Sequence, residues 1–289
     1  MNFLYQLPNW ALCLTIVSGF TLLSVLGGLV TRPWISLFQP SDNETVAHFL
    51  SATGTIYAVL LAMVAVASWN SYVETDALVA REAGLTADLF RDLEAYPRPA
   101  RDELRQLVYD YVTTVVEIEW PAVREGRVEK RADLAMNAMF EGWQGFVPEG
   151  DLQRTAHARA LDRLNELFNT RESRLQKGTS GIMPSLWLVV IAGFLLNIGM
   201  TYLLHLSNRR LHCLLTGGLG MMFGLVIYLI AAMDYPLWGE ISIPPDAFRQ
   251  VQVLMERRLH PATPGEKRLA QAQALAPAAP FHSGSPPPG

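Results

Sequence analysis

Four long stretches of this chain are mostly apolar and contain no Lys, Arg, Asp or Glu. They cover residues 10–30, 46–69, 182–204 and 211–233, and each has 21 to 24 residues. A helix of that length spans a hydrocarbon core about 30 Å thick, because each residue adds about 1.5 Å. The sequence therefore predicts an all-α membrane protein with four transmembrane helices.

Most charged side chains lie between the second and third apolar stretches. Residues 70–181 hold 15 Lys and Arg against 20 Asp and Glu, a net charge of −5. No basic patch dominates this segment, which argues against nucleic acid as a partner. We expect residues 70–181 to form a helical domain inserted between transmembrane helices 2 and 3.

The other segments complete the predicted organisation. Residues 1–69 carry transmembrane helices 1 and 2, and residues 182–233 carry helices 3 and 4. Residues 234–260 follow as a juxtamembrane segment with one short helix at 246–258. Residues 261–289 are rich in Pro, Ala, Gly and Ser, a composition typical of disorder.

The second apolar stretch has no stop signal at its inner end. Residues 44–95 contain no proline, and after Trp69 the apolar residues thin out to helical spacing. This pattern predicts one helix of about 75 Å that leaves the membrane and continues as an amphipathic rod. Further helices are predicted at 99–119, 130–140 and 151–176, the first of them closed by Trp120-Pro121.

Four crossings place both termini and the charged domain on the same side of the membrane. Near the membrane, that side offers five basic residues and the opposite side three. The first group is Arg81, Arg171, Arg174, Lys177 and Arg249, and the second is Arg32, Arg209 and Arg210. The positive-inside rule then favours a cytoplasmic domain and cytoplasmic termini.

The second apolar stretch is the least apolar of the four, and its small and polar residues recur at helical spacing. We predict a pore-lining face composed of His48, Ser51, Thr55, Ala58, Ala62 and Asn70. Hydroxyl groups can replace part of an ion's hydration shell. Small residues also let helices pack closely in lipid, so the sequence leaves pore lining and packing open.

Charged residues gather at the inner ends of the crossings. The candidates for an ion-binding or ion-pairing mouth are Glu74, Asp76, Glu82, Arg171, Arg174 and Asp234. Acidic rings select cations and basic rings select anions. The alternative is that pairs of the Glu82–Arg171 type fix the helices to one another.

The fourth stretch contains Gly220-x-x-x-Gly224, a pattern typical of closely packed membrane helices. The chain has no phosphate-binding glycine loop, nucleophile elbow or zinc motif. We therefore predict no enzymatic activity, no cofactor and no metal site.

Several short motifs occur in a characteristic order. The more specific are Glu117-x-Glu119-Trp120-Pro121 and Asp234-x-Pro236-x-x-Gly239. They are accompanied by Arg81-Glu82-Ala83, Arg171-x-x-Arg174-Leu175 and Pro184-x-Leu186-Trp187. In this order, over about residues 1–253, the chain resembles the bestrophin-like family of mostly bacterial membrane proteins of unassigned function.

The resemblance implies a relation to true bestrophins, which are pentameric channels with four membrane helices per subunit. In those channels a cytoplasmic helical domain follows a pore lined by the second helix. The aromatic neck of the true channels is not evident here. Their calcium-binding acidic cluster is not reproduced, because Asp234, Glu240 and Asp246 are sparse. The resemblance therefore implies the architecture alone. Anion selectivity and calcium gating do not carry over from the true channels to this chain.

Together these features predict a homo-oligomeric ion channel, a pentamer by resemblance, that passes inorganic ions across a bilayer. The resemblance places it in a bacterial inner membrane. The alternative is a non-conducting membrane adaptor that presents its helical cytoplasmic domain to a partner.

Overall fold

The computed structural model describes residues 8–35, 40–127 and 129–260, and every regular element in these ranges is helical. Short 3₁₀ turns lie at Pro40–Asp42 and Leu93–Ala95, and a π-helical turn at Val115–Glu119. The α-helices within these ranges are α1 (Asn9–Ile35), α2 (Asn43–Asp92), α3 (Ala100–Thr114), α4 (Trp120–Arg124), α5 (Arg131–Gly145), α6 (Gly150–Thr179), α7 (Pro184–Tyr202), α8 (Arg209–Asp234) and α9 (Asp246–Leu259).

Four helical segments in the described ranges are long and apolar enough to cross a membrane. They are α1, the first half of α2, α7 and α8, which correspond to the four apolar stretches of the sequence. The predicted all-α membrane fold is thus confirmed. Pro184 is the first residue of α7, where its missing N–H has no helical partner to lose.

The second helix is continuous. It runs for 50 residues from Asn43 to Asp92, about 75 Å at the usual rise. No proline interrupts it, and Leu85 and Leu89 become buried where the helix leaves the apolar stretch. The prediction of one long rod is confirmed, so the membrane bundle and the charged helical domain share a single helix.

In the membrane bundle, α1 packs along α8, while α2 packs against α7 and α8. Glycines permit the close approach of α1 and α8. A Cβ atom on Gly220 would lie 2.2 Å from Ser24 Oγ and 2.9 Å from the carbonyl oxygen of Phe20. A Cβ atom on Gly224 would lie 2.9 Å from the Cα of Val17. The glycine pattern therefore marks a helix contact, as predicted.

The charged helical domain has its own core. The second half of α2 packs against α6 and α9, and α3 packs against α5 and α9. Leu89, Val108, Trp143, Leu164 and Phe248 are among its fully buried side chains. Because Phe248 belongs to α9, the helix predicted at 246–258 completes this core from the far end of the chain.

One predicted boundary is wrong. Trp120-Pro121 does not close the helix that begins near residue 99, because the π-helical turn leads directly into α4. Pro121 is the second residue of α4 and is accommodated within this continuous run of helical turns. The predicted disordered tail, residues 261–289, lies outside the described residues.

Candidate functional site

One face of α2 points away from the rest of the subunit. It carries all six residues predicted to line a pore, and each of them is exposed within a single subunit: His48, Ser51, Thr55, Ala58, Ala62 and Asn70. The opposite face carries the buried residues Tyr57, Leu61, Val64 and Ser68. The predicted stripe therefore does not pack against another helix of its own chain.

Tyr57 fixes the rotation of α2 in the bundle. Its hydroxyl donates to the carbonyl oxygen of Val190 at 2.8 Å, and its ring meets Phe223 edge-on at 5.2 Å. A Cβ atom on Gly193 would lie 2.4 Å from the Tyr57 ring. Nearby, Thr53 lies 3.4 Å from the side-chain oxygen of Asn197. These contacts hold one face of α2 inward and leave the stripe outward.

The hydroxyl of Thr55 is bonded within its own helix. It donates to the carbonyl oxygen of Ser51 at 2.8 Å. Its oxygen lone pairs remain available to accept a hydrogen bond or to face a cation. Such a group is compatible with a helix face that contacts water.

A buried ionic cluster lies in the charged helical domain, formed by Glu82, Tyr111, Glu119, Arg171 and Arg174. Each of the five side chains is at most 3% exposed. Glu82 comes from α2, Tyr111 from α3 and Glu119 from the π-helical turn, while both arginines come from α6. The cluster thus joins the long rod to the helix that leads into α7.

Arg174 is the centre of the ionic cluster. Its Nε donates to Glu82 Oε2 at 2.6 Å, and one terminal nitrogen donates to Glu119 Oε1 at 2.5 Å. The other carboxylate oxygen of Glu82 accepts a 2.6 Å hydrogen bond from the Tyr111 hydroxyl. The guanidinium also lies 4.9 Å from the ring centroid of Trp120. A planar, five-donor group suits this position because it reaches two carboxylates at once.

Arg171 links the ionic cluster to the surface. One terminal nitrogen donates to Glu119 Oε2 at 2.5 Å and lies 2.8 Å from Asp133 Oδ1. The Asp133 side chain is 51% exposed, whereas that of Arg171 is 3% exposed. The carboxylate of Glu119 is therefore shared between two arginines, and only the Asp133 end of the cluster reaches solvent.

Burial and the nearest charges have opposite effects on the pKa of Glu119 but the same effect on the pKa of Tyr111. Burial alone would raise the pKa of Glu119, but the positive charges of Arg174 and Arg171 outweigh it and hold the pKa below its usual value of 4.5. Burial, followed by the charge of Glu82, raises the pKa of Tyr111 well above 10. Tyr111 therefore stays a neutral donor beside two carboxylates.

The lowered pKa of Glu119 predicts a loss of stability in acid. A carboxyl group with a lower pKa in the folded state contributes stability above its unfolded value of 4.5. That contribution disappears as the pH falls through the folded pKa. Unfolding in detergent, followed by circular dichroism from pH 7 to pH 3, should show it. The Glu119→Gln variant should be less stable at pH 7 and lose less stability on acidification, and a wild-type slope in this variant would contradict the assignment.

The remaining mouth candidates have separate environments. Asp234 is buried at the end of α8, where it accepts from the backbone N–H of Ile182 at 2.5 Å and from Trp187 Nε1 at 3.2 Å. It thereby ties the end of α8 to the start of α7. Glu74 pairs with Lys177 on the surface, and Asp76 is exposed on α2.

Sequence reasoning named both arginines but missed two members of the ionic cluster. Tyr111 lies on an apolar helical face, and Glu119 stands out in the sequence only as part of a family motif. A signal was present, because Glu119 follows Val115 by four residues and Tyr111 by eight, and both of those are buried. A carboxylate at the next position of an apolar helical face predicts a buried partner of opposite charge.

Among the described residues, no group of three His, Cys, Asp or Glu side chains could hold a metal ion.

The fold has clear relatives. A structure of a bacterial bestrophin homologue from Klebsiella pneumoniae, carrying one substitution, aligns with a TM-score of 0.64 at 12% identity and covers 84% of this chain and 98% of that one. Another structure of that homologue aligns with a TM-score of 0.61 at 13% identity, covering 85% and 100%. At such identities the likeness establishes the fold. No curated protein matches this chain in sequence.

The family assignment comes from the sequence itself. A model of the bestrophin-like domain matches residues 18–248. The chain belongs to the bestrophin-like family. The match includes the last three crossings, the second half of the first, the exposed stripe of α2 and the ionic cluster of this bestrophin-like protein. The resemblance predicted from the short motifs is confirmed.

Proposed function

We propose that this bestrophin-like protein is a homo-oligomeric ion channel whose pore is lined by the exposed face of α2. The observation that carries the proposal is the placement of the six stripe residues. They share one face of a membrane helix, and none of them is used to pack the subunit. Around a symmetry axis, such faces from several copies would enclose a path lined by these side chains together with Val59 and Val66, which are exposed on the same face.

A path through a single subunit is not available in the described bundle. Its centre is filled by aromatic rings, with Phe20 and Phe194 centroids 4.7 Å apart and Phe194 and Phe223 centroids 5.6 Å apart. Tyr57 closes the same layer against Phe223. A water-filled route is therefore easier to form between subunits than within one. The family resemblance favours five subunits.

The positions of the charged residues determine the net charge of the proposed inner mouth. Glu82, Arg171 and Arg174 are committed to the buried ionic cluster, whereas Asp76 is exposed on α2. The helical domain has a net charge of −5 over residues 70–181, and a negative vestibule raises the local concentration of cations. We place this domain and both termini in the cytoplasm of a bacterial cell, on the inner membrane.

Liposome flux is the direct test. Purified protein is reconstituted, and the flux of Na⁺, K⁺ and Cl⁻ is measured together with the oligomeric state. Flux carried by an intact oligomer supports the proposal. An intact oligomer without flux for any of the three ions, across a range of pH and calcium, would overturn it and favour the membrane adaptor.

A substitution at the centre of the stripe sharpens this test. The Thr55→Trp variant should lose most of the flux and keep its oligomeric state, because the indole would fill the axis. Leu188→Trp is the matched control, since Leu188 is 70% exposed on α7 and lies outside the stripe. We expect this control to conduct. Dissociation of the Thr55→Trp oligomer would instead show that Thr55 packs between helices.

A further inference from the structure

The two most specific motifs of the sequence meet at one cavity, called the junction cavity here. Trp120 and Pro121 of the first motif and Gly239 of the second line it. Trp120 Nε1 donates to the carbonyl oxygen of Ile243 at 3.0 Å, and the backbone N–H of Gly239 donates to the carbonyl oxygen of Arg124 at 2.9 Å. The motifs therefore join α4 to the segment between α8 and α9, and the cavity lies at that junction.

The junction cavity lies at the end of the membrane bundle that adjoins the charged helical domain. Pro8, the residue before α1, lines it together with Glu240, which follows the end of α8. Two membrane crossings thus begin and end at this level, where the headgroups of a bilayer lie. The cavity volume is about 550 Å³, within the range of about 300–1,000 Å³ that small-ligand sites occupy. A phospholipid headgroup can therefore both reach the cavity and fit in it.

The cationic groups of the junction cavity are Arg124 and Arg249. Among the described residues Arg124 has no ion-pair partner. Its Nε donates to the carbonyl oxygen of Gly239 at 2.8 Å, and a terminal nitrogen lies 3.5 Å from the carbonyl oxygen of Glu240. These contacts orient the guanidinium and leave further N–H donors for a ligand. Arg249 pairs with Asp246 at 3.1 Å, but its side chain is 60% exposed, so this pair is weak. Both guanidinium groups can bind a phosphate.

The junction cavity also contains two carboxylates, those of Glu125 and Glu240. Glu240 Oε2 accepts a 2.6 Å hydrogen bond from the backbone N–H of Asn9, which fixes this carboxylate at the start of α1. Glu125 Oε2 accepts from Arg127 Nε at 2.9 Å. With two arginines and two glutamates, the described lining has no net charge. A purely anionic ligand would meet both carboxylates, whereas a ligand with a phosphate and an ammonium group is complementary to both signs.

We propose that the junction cavity binds the headgroup of an aminophospholipid of the phosphatidylethanolamine class. The phosphate binds Arg124 and Arg249, and the ammonium group donates to Glu240. Trp120 and Pro121 form the apolar wall against the glycerol part of the lipid. The site joins α1, α4 and α9, and it is independent of the proposed pore.

Three lipids that differ only in the headgroup test the proposal. Purified protein in detergent is titrated with phosphatidylethanolamine, phosphatidylcholine and phosphatidylglycerol of the same acyl chains, and native mass spectrometry counts the bound lipid. We expect phosphatidylethanolamine to bind about threefold to tenfold more tightly than the other two, because they lack an N–H donor for the carboxylate. Equal binding of the three lipids, or tighter binding of either competitor, would overturn the proposal.

Two variants at exposed positions locate the site. Arg249→Gln removes a phosphate ligand and should weaken binding of all three lipids. Glu240→Gln keeps an oxygen that accepts from Asn9 but removes the charge, so it should abolish the preference for phosphatidylethanolamine over phosphatidylcholine. The matched controls are Arg257→Gln and Glu256→Gln, which make the same changes at exposed positions near the other end of α9. They should bind like the wild type. An unchanged preference in Glu240→Gln would refute the site.

The free headgroup distinguishes a lipid from a soluble metabolite of the same chemistry. Millimolar phosphoethanolamine should leave most of the phosphatidylethanolamine bound, because the acyl chains add affinity that the free headgroup lacks. Full displacement of the lipid under these conditions would identify a soluble ligand and overturn the assignment to a membrane lipid.

Discussion

The Arg174→Met variant is expected to be less stable than the wild type by about 3–5 kcal/mol, the usual cost of removing one partner from a buried ion pair. Arg174 is fully buried and bonds to both Glu82 and Glu119. Methionine approximates the aliphatic part of the arginine side chain. In the variant Glu82 would keep only its hydrogen bond from Tyr111, and Glu119 would keep only its ion pair with Arg171. Unfolding in detergent at pH 7 measures the difference.

The matched control is Arg81→Met, at the residue directly before Glu82 on α2. Arg81 pairs with Glu166 at 2.5 Å, but its side chain is 62% exposed, and exposed pairs contribute less than about 1 kcal/mol. Adding Glu82→Gln to Arg174→Met should restore part of the lost stability, because it removes a carboxylate left without its cation. Similar small losses for Arg81→Met and Arg174→Met would contradict a central role for Arg174.

The Gly220→Leu variant is expected to disrupt the contact between α1 and α8. The new Cβ atom alone would lie 2.2 Å from Ser24 Oγ and 2.9 Å from a backbone oxygen. The Ser24 side chain cannot relieve the second contact, so α1 must move as a helix. Overpacking of this kind usually costs about 1–3 kcal/mol or more, and the yield of folded protein and its unfolding midpoint should both fall.

Gly218 supplies the control on the same helix. A Cβ atom there meets nothing within 4 Å, so Gly218→Leu places an apolar side chain on an open surface of the bundle. We expect its yield and unfolding midpoint to match those of the wild type. Equal damage from both substitutions would show that helix propensity or insertion, and not the α1–α8 contact, sets the effect.

The ionic cluster shows which contacts of the site the sequence could predict and which it could not. The sequence left open whether Arg171 and Arg174 bind ions at the inner mouth or pair with carboxylates, and the pair it suggested was of the Glu82–Arg171 type. In the structure Glu82 bonds to Arg174, and Arg171 bonds to Glu119. The two arginines are three residues apart on one helix face, so spacing alone does not assign their partners. The π-helical turn, which sets the direction of Glu119, has no clear signal in the sequence.

For the exposed stripe, the sequence predicted which residues share a helix face but not where that face points. Helical spacing predicted that His48, Ser51, Thr55 and Ala62 share a face, because 3.6 residues per turn fixes that relation locally. The sequence left open whether this face packs within the subunit. Tyr57 and the glycine at position 193 decide the rotation of α2, and they come from helices more than 130 residues apart in the chain.

By itself, the sequence determined the properties that depend on local composition and periodicity. These are the four membrane crossings, the continuous rod from Asn43 to Asp92 and the close-packing glycines of α8. Tertiary structure alone decided which carboxylate each arginine binds and which face of α2 remains free. The physical reason is that hydrophobic span and helical pitch are set within about twenty residues, whereas pairing and cavities arise where distant helices meet.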